Sequence, residues 1–229
     1  MDNITVGDYT IPCVFVQKPW IRNTYLRFED EKLVVVSRNQ GNAMRVLDKH
    51  HDWIMKHYSQ IKSSVRMFST SGMLFNGTRM PVRFTQHYGR PRVEISGDSI
   101  LVLSRSNDAA ERALERWLSR QTILATESVA CEKACAIGKA KPSTGTRRFR
   151  KWGVCRSNNT ITFNTYVCML PAELRDYIIS HEVAHLAQMN HSRRFWEVVG
   201  RLCPEYRILR KRLKNYDSRR RPVFVSPAA

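Results

Sequence analysis

The sequence predicts an α+β protein in which a β-rich N-terminal half precedes a compact helical core entered through a β-hairpin. Three observations carry that expectation. Short runs of alternating or β-branched residues, separated by turn-forming pairs, fill residues 1–105. One long helical periodicity then runs from Asp108 to about Ala136. A second set of strand signals leads directly into helical segments beginning at Pro171. The expected organisation is a β-rich region over 1–105, a core over 106–216 and a loose basic tail over 217–229.

Each element has a local reason. Tyr9–Gln17 alternates apolar and polar side chains, as a half-buried strand does. Residues 24–28 and 33–37 flank Glu29-Asp30-Glu31-Lys32 and read as a hairpin. Ala43, Val46, Leu47, His50, Trp53 and Ile54 fall on one helical stripe, which would turn His50 inward as a core histidine. Asn76-Gly77 is a two-residue turn signal between 73–75 and 79–84, and Gly97-Asp98 joins Arg92–Ser96 to 99–103. Ala113, Leu114, Trp117, Leu118 and Ile123 mark the apolar face of the long helix. Residues 138–145, with glycine, proline, serine and two lysines, read as a linker or mobile loop. Residues 149–155 and Thr160–Asn164 form the hairpin before the last helices, which break near Pro204.

A chain of 229 residues can bury one sizeable core or two small lobes. No apolar run approaches the length that crosses a bilayer, so no membrane association is expected. The start, MDNITVGDYTIP, lacks a basic segment followed by an apolar one, which points to a cytoplasmic protein with reduced thiols. The six cysteines form no CxxC pair; Cys131 and Cys135 lie one helical turn apart with no second pair nearby. The charge is less ordinary. It totals +18, and fourteen of those charges come from residues 139–151 and 193–221. Such a field draws polyanions, so nucleic acid or a nucleotide joins the expected partners; the plainer reading is a solvated basic surface.

His181-Glu182-Val183-Ala184-His185, followed by His191, carries the chemistry. On a helix, residues four apart share a face, so His181 and His185 can offer imidazoles to one ion. Glu182 lies one step round the helix, where it can act as a general base without ligating. Residues 171–188 read as that helix, with Leu174, Ile178, His181 and His185 spaced by four, three and four along a buried stripe. Asn190 is a left-handed stop and Ser192 the cap of a following helix that carries Phe195, Trp196 and Val199. His191 therefore sits in a tight elbow and can fold back onto the same ion. Three imidazoles leave a fourth position open, as a catalytic zinc requires, and Zn2+ is the expected cofactor.

The segment HEVAHLAQMNHSRRFWEVVGRLCPEYRILRKRLK resembles the C-terminal signature of the YgjP-like metallopeptidase family, a branch of the zincins related to the SprT and WLM groups. Upstream, KWGVCRSNNTITFNTYVCMLP resembles the family's Trp-Gly-x-Cys hairpin; Val154 stands where the family more often has serine. Residues 72–84 resemble its short hairpin and 43–61 its first helix; the resemblance is dense from 148 to 214 and thin before 70. It implies a zincin core and a zinc-dependent metallopeptidase, with His181, His185 and His191 as ligands and Glu182 as the catalytic base. It also implies a strand edge near Thr160–Asn164 that takes an extended peptide, with the 138–145 loop able to cover it. Tyr206, with Arg207 as rival, is the candidate second stabiliser of a developing oxyanion. Two other functions stand beside this one. A zinc-dependent nucleoside triphosphate hydrolase would use the basic flanks, although no Walker-type glycine loop is present. A DNA-associated protease or a nucleic-acid-binding zinc protein is the further alternative, the former by analogy with the SprT and WLM groups. A purely structural zinc site has no need of Glu182.

Overall fold

The computed structural model describes residues 2–7, 9–29, 32–63, 68–69 and 72–216; the tail over 217–229 lies outside them. The chain forms two compact units, Met1–Ser64 and Val65–Ala229. An α+β architecture results, with strands dominating the N-terminal half and helices the C-terminal half.

The first unit is a four-stranded sheet with two helices. β1 (Asp2–Val6) pairs antiparallel with β2 (Tyr9–Gln17). β3 (Tyr25–Glu29) and β4 (Lys32–Ser37) form the expected hairpin, and β4 also pairs in parallel with β2, so the order is β1-β2-β4-β3. Leu33 through Ser37 are all buried, as suits a central strand read as an unbroken apolar run. The single helical stripe expected over 43–61 is instead two helices, α1 (Gln40–Lys49) and α2 (His51–Ser63). Asn39 caps α1, its side chain accepting the Asn42 N–H at 2.9 Å. His50 sits at the break and is exposed, not in the core as the stripe implied. The interruption resets the helical phase. Ile54 and Tyr58 then reach the core with Val6, Ile11 and Leu33.

The second unit carries everything from Phe68 to Tyr216. Its strands before residue 105 share one core with the later helices: Met73, Ile100 and Val102 are buried with Leu118, Phe163 and Ile178. β5 (Phe68–Ser69), β6 (Gly72–Phe75) and β7 (Thr78–Met80) form an antiparallel meander. Asn76 and Gly77 turn it, with φ of +51° and +81°, both in the left-handed region a type I′ turn demands. The strand expected over 79–84 breaks at Pro81, which has no N–H to give a ladder. β8 (Val82–Gln86) leaves to pair in parallel with β10 (Ser99–Ser104), and β9 (Arg92–Ser96) pairs antiparallel on β10's other side.

α3 (Asn107–Ala136) begins at Ser106, whose hydroxyl accepts the Ala109 N–H. Its buried face runs past the apolar positions into Thr122, Thr126, Ala130 and Ala134. Thr122 stays satisfied there: its hydroxyl donates to Thr165 O (2.8 Å) and accepts from Cys168 N (3.1 Å). Of the stretch 138–145, residues 138–142 form a turn and loop as expected. Its last residues enter β11 (Ser143–Arg147), which pairs in parallel with β13 (Thr160–Asn164), while β12 (Gly153–Arg156) pairs antiparallel on β13's other side. The order β11-β13-β12 makes β13 the centre and leaves β12 as an edge. Three helices follow: α4 (Ala172–Ala187), α5 (Arg193–Leu202) and α6 (Tyr206–Leu213), with Pro204 at the expected break.

Candidate metal centre

α4 is buried nearly all round, including Leu174, Tyr177, Ile178, Ile179, Val183 and Ala184. A helix in that position must be packed from every side, and its start is clamped by the β6–β7 turn. Asn76 N–H donates to Cys168 O and Gly77 N–H to Met169 O, both at 3.0 Å. Arg175 adds bonds from Nη1 to Asn76 Oδ1 (2.6 Å) and to Leu170 O (2.9 Å). A Cβ on Gly77 would stand 2.9 Å from Pro171 Cα, so glycine is required by the contact as well as by φ.

The helix ends at Gln188, in extended conformation, rather than at a left-handed Asn190; among the described residues only Asn76 and Asn159 are non-glycine residues at positive φ. A bond between His185 Nδ1 and Gln188 O (3.2 Å) accompanies that ending. Asn190 instead accepts from Gln188 Nε2 and Ser192 N, and Ser192 caps α5 as expected. This short connection brings His191 back over α4.

His181, His185 and His191 meet. Their ring centroids are 5.0, 5.1 and 4.9 Å apart, and one nitrogen from each falls within 4.8 Å of the others. His181 Nε2 and His191 Nε2 are 3.2 Å apart. Two nitrogens on one tetrahedral zinc, at about 2.0–2.1 Å each, stand about 3.3 Å apart. Phe195, fully buried, lies under all three rings at 4.5–5.0 Å and closes the floor. Trp196 stacks on His191 and in turn on Tyr206, with the Arg210 guanidinium 4.7 Å from its ring centroid.

The donor set fits a divalent cation. Burial, then the His185 and His191 rings, push His181 down to about 3, and burial also lowers His185. Uncharged imidazoles keep their lone pairs. His185 Nδ1 donates to Gln188 O, which leaves Nε2 as the acceptor. His181 Nδ1 is buried without a hydrogen-bond partner, so that ring's polar interaction lies on its Nε2 side. Among the described residues this is the one group of three or more metal-ligating side chains so placed, and neither Cys131 nor Cys135 belongs to it.

The three histidines and Glu182 open on one cavity of about 450 Å³, lined also by Lys151, Trp152, Gly153, Val154, Cys155 and Tyr177. Burial raises the Glu182 carboxyl to about 7, opposed by the Cys155 N–H and the Lys151 charge. β12 holds that carboxylate in place. The Cys155 backbone N–H favours its charged form, and a Cβ on Gly153 would stand 2.5 Å from Glu182 Cγ. Sequence reasoning passed over both roles, although the Trp152-Gly153-Val154-Cys155 run was their visible trace. The Cys155 thiol is packed, its pKa pushed up to about 11 by burial and by Glu182. Tyr206 and Arg207 do not line the cavity: the Tyr206 hydroxyl takes a bond from Arg207 Nε at 3.2 Å. Tyr177 does line it, a phenol that burial pushes up to about 12 and so keeps protonated.

The strand edge expected near Thr160–Asn164 is not free. β13 is paired on both sides, so the free edge beside the cavity belongs to β12. The Asn164 N–H donates to Trp152 O, which turns residues 152, 154 and 156 toward β13. By the alternation of an antiparallel ladder, Gly153 and Cys155 turn their backbone groups to the cleft.

No curated protein and no solved structure matches the chain significantly. A family model does match, over residues 22–216, beginning well upstream of the segments where the resemblance is dense. With that span covered, the chain belongs to the family of the YgjP-like metallopeptidase domain.

Proposed function

We propose that the protein is a zinc-dependent peptidase in which His181, His185 and His191 hold the ion and Glu182 is the general base. The observation that carries the proposal is the joint placement of three converging imidazoles and a buried carboxylate, fixed by β12, on one cavity. A bound zinc ion would supply Lewis-acid chemistry, polarising a carbonyl and acidifying a water molecule. The residues supply the rest. Glu182 takes a proton from the attacking water on a carboxylate oxygen and returns it to the leaving amine. Burial, which favours the protonated form of that carboxyl, suits it to accept the proton. With the Cys155 N–H turned to Glu182, the outward N–H and C=O of Gly153 and the Cys155 C=O are left to position an extended peptide as an added strand. Tyr177, protonated and at the cavity wall, offers a neutral donor to a developing oxyanion.

Phosphoanhydride hydrolysis has less support, because Lys151 is the one lysine or arginine among the lining residues. The test is a mass-spectrometric time course of an unstructured protein incubated with zinc-loaded enzyme and with Glu182→Gln. Fragments should accumulate with the native chain and slow by about 10²–10⁴-fold in the variant, at equal zinc content. Equal cleavage by both proteins would remove Glu182 from the chemistry. Loss of nucleoside triphosphate in place of fragments would favour the second reading.

A further inference from the structure

The second unit holds a concavity that the metal centre does not use. Arg112, Glu115, Arg116 and Ser119 line it from one face of α3, Arg147 and Arg148 from the end of β11, and Thr165 from beyond β13. Its volume is about 430 Å³. We propose that this concavity binds the phosphate groups of an anionic ligand.

Four arginines line it, and among the described residues none of the four has an ion-pair partner. Elsewhere the chain does pair its arginines: Arg27 with Glu29, Arg92 with Glu94, Arg193 with Glu197 and Arg212 with Glu173. Glu115 is the sole acid in the lining, and among the described residues it pairs with none of the four. Like charges gathered in a concavity repel one another unless an anion joins them. The walls are also tied together. Ser119 and Thr146 bond hydroxyl to hydroxyl between α3 and β11, and the Arg148 guanidinium lies 5.6 Å from the centroid of the buried Tyr166 ring.

The chemistry of the lining selects phosphate. Planar guanidinium forks match phosphate oxygens two at a time, and Ser119 and Thr165 place hydroxyls in the same lining. No aromatic side chain lines the concavity, so it has no platform on which a base could stack. The site reads phosphate, whether from a nucleic-acid backbone or from a free polyphosphate. It is separate from the metal centre, since β11 and β12 are opposite edges of one three-stranded sheet, about 10 Å apart. Charge agrees with its location: lysine and arginine exceed aspartate and glutamate by two in residues 1–64 and by sixteen in 65–229.

The experiment uses the zinc-loaded full chain with two probes at low salt. Fluorescence anisotropy follows a labelled oligothymidylate, and calorimetry follows inorganic tripolyphosphate. Two variant pairs remove the site: Arg112→Gln with Arg116→Gln, and Arg147→Gln with Arg148→Gln. Arg83→Gln with Arg90→Gln removes the same charge elsewhere, and circular dichroism checks that all three fold. Each site pair should weaken binding by about tenfold or more and flatten the salt dependence, with the control close to native. Oligonucleotide binding that tripolyphosphate fails to displace would identify a nucleic-acid backbone as the source; displacement would identify a free polyphosphate. Equal losses in site and control pairs would reduce the effect to diffuse charge and overturn the proposal, as would absence of binding by both probes.

Discussion

Glu182 shows how much of this site is decided one residue at a time. Its position beside His181 was legible in the sequence, because a helix phases neighbours by fixed rotation. What holds its carboxylate was not, since the Cys155 N–H and the space over Gly153 come from a strand about thirty residues away. That arrangement makes a sharp prediction. Gly153→Ala should lower kcat by about 10²–10³-fold, approaching the loss of the base itself, while zinc content by elemental analysis stays at one ion. Retained activity would show that Glu182 can shift without cost. His50 is the converse case: a helical stripe placed it inside, and a break between α1 and α2 puts it in solvent.

At the scale of elements, local pattern identified strands and helices more readily than their partners. Tyr9–Gln17, the Asn76-Gly77 turn and α4 appear almost where periodicity and turn chemistry put them. The pairing of β2 with β4, of β8 with β10 and of β11 with β13 is parallel in each case, and no turn signal announces a parallel ladder. Residues 143–145 read as a continuation of the 138–142 loop for that reason, although they open the edge strand β11. The β6–β7 turn matters beyond its own hairpin, because it seats against Pro171 at the start of α4. Gly77→Ala should therefore destabilise the protein by about 1–3 kcal/mol, from positive φ and the contact together. Urea denaturation measures this, and a change within a few tenths would show that the turn yields.

For the whole molecule, the proposed metal centre would join helices α4 and α5 with Phe195 beneath the rings, so that zinc binding and stability are linked. Zinc at a thousand times its dissociation constant should stabilise the native state by about 4 kcal/mol. For a chain of this size that is roughly 2–4 °C in Tm for each kcal/mol. Scanning calorimetry before and after chelation should show the loss, and added zinc should restore it. His191→Ala should respond little to zinc; an undiminished shift in that variant would place the ion elsewhere.

By itself the sequence determined what short-range geometry encodes: the fold class, the helix carrying His181, Glu182 and His185, the elbow at His191 and the large positive charge. Those depend on the fixed rise and rotation of regular backbone and on residue chemistry. Only the tertiary structure decided that β12, not β13, is the edge beside the cavity, and that Gly153 makes room for Glu182. It likewise put Arg112 and Arg116 of α3 in the lining of one concavity with Arg147 and Arg148. Each of these is a meeting of segments distant in the chain. Packing brings them together, and no local period records it.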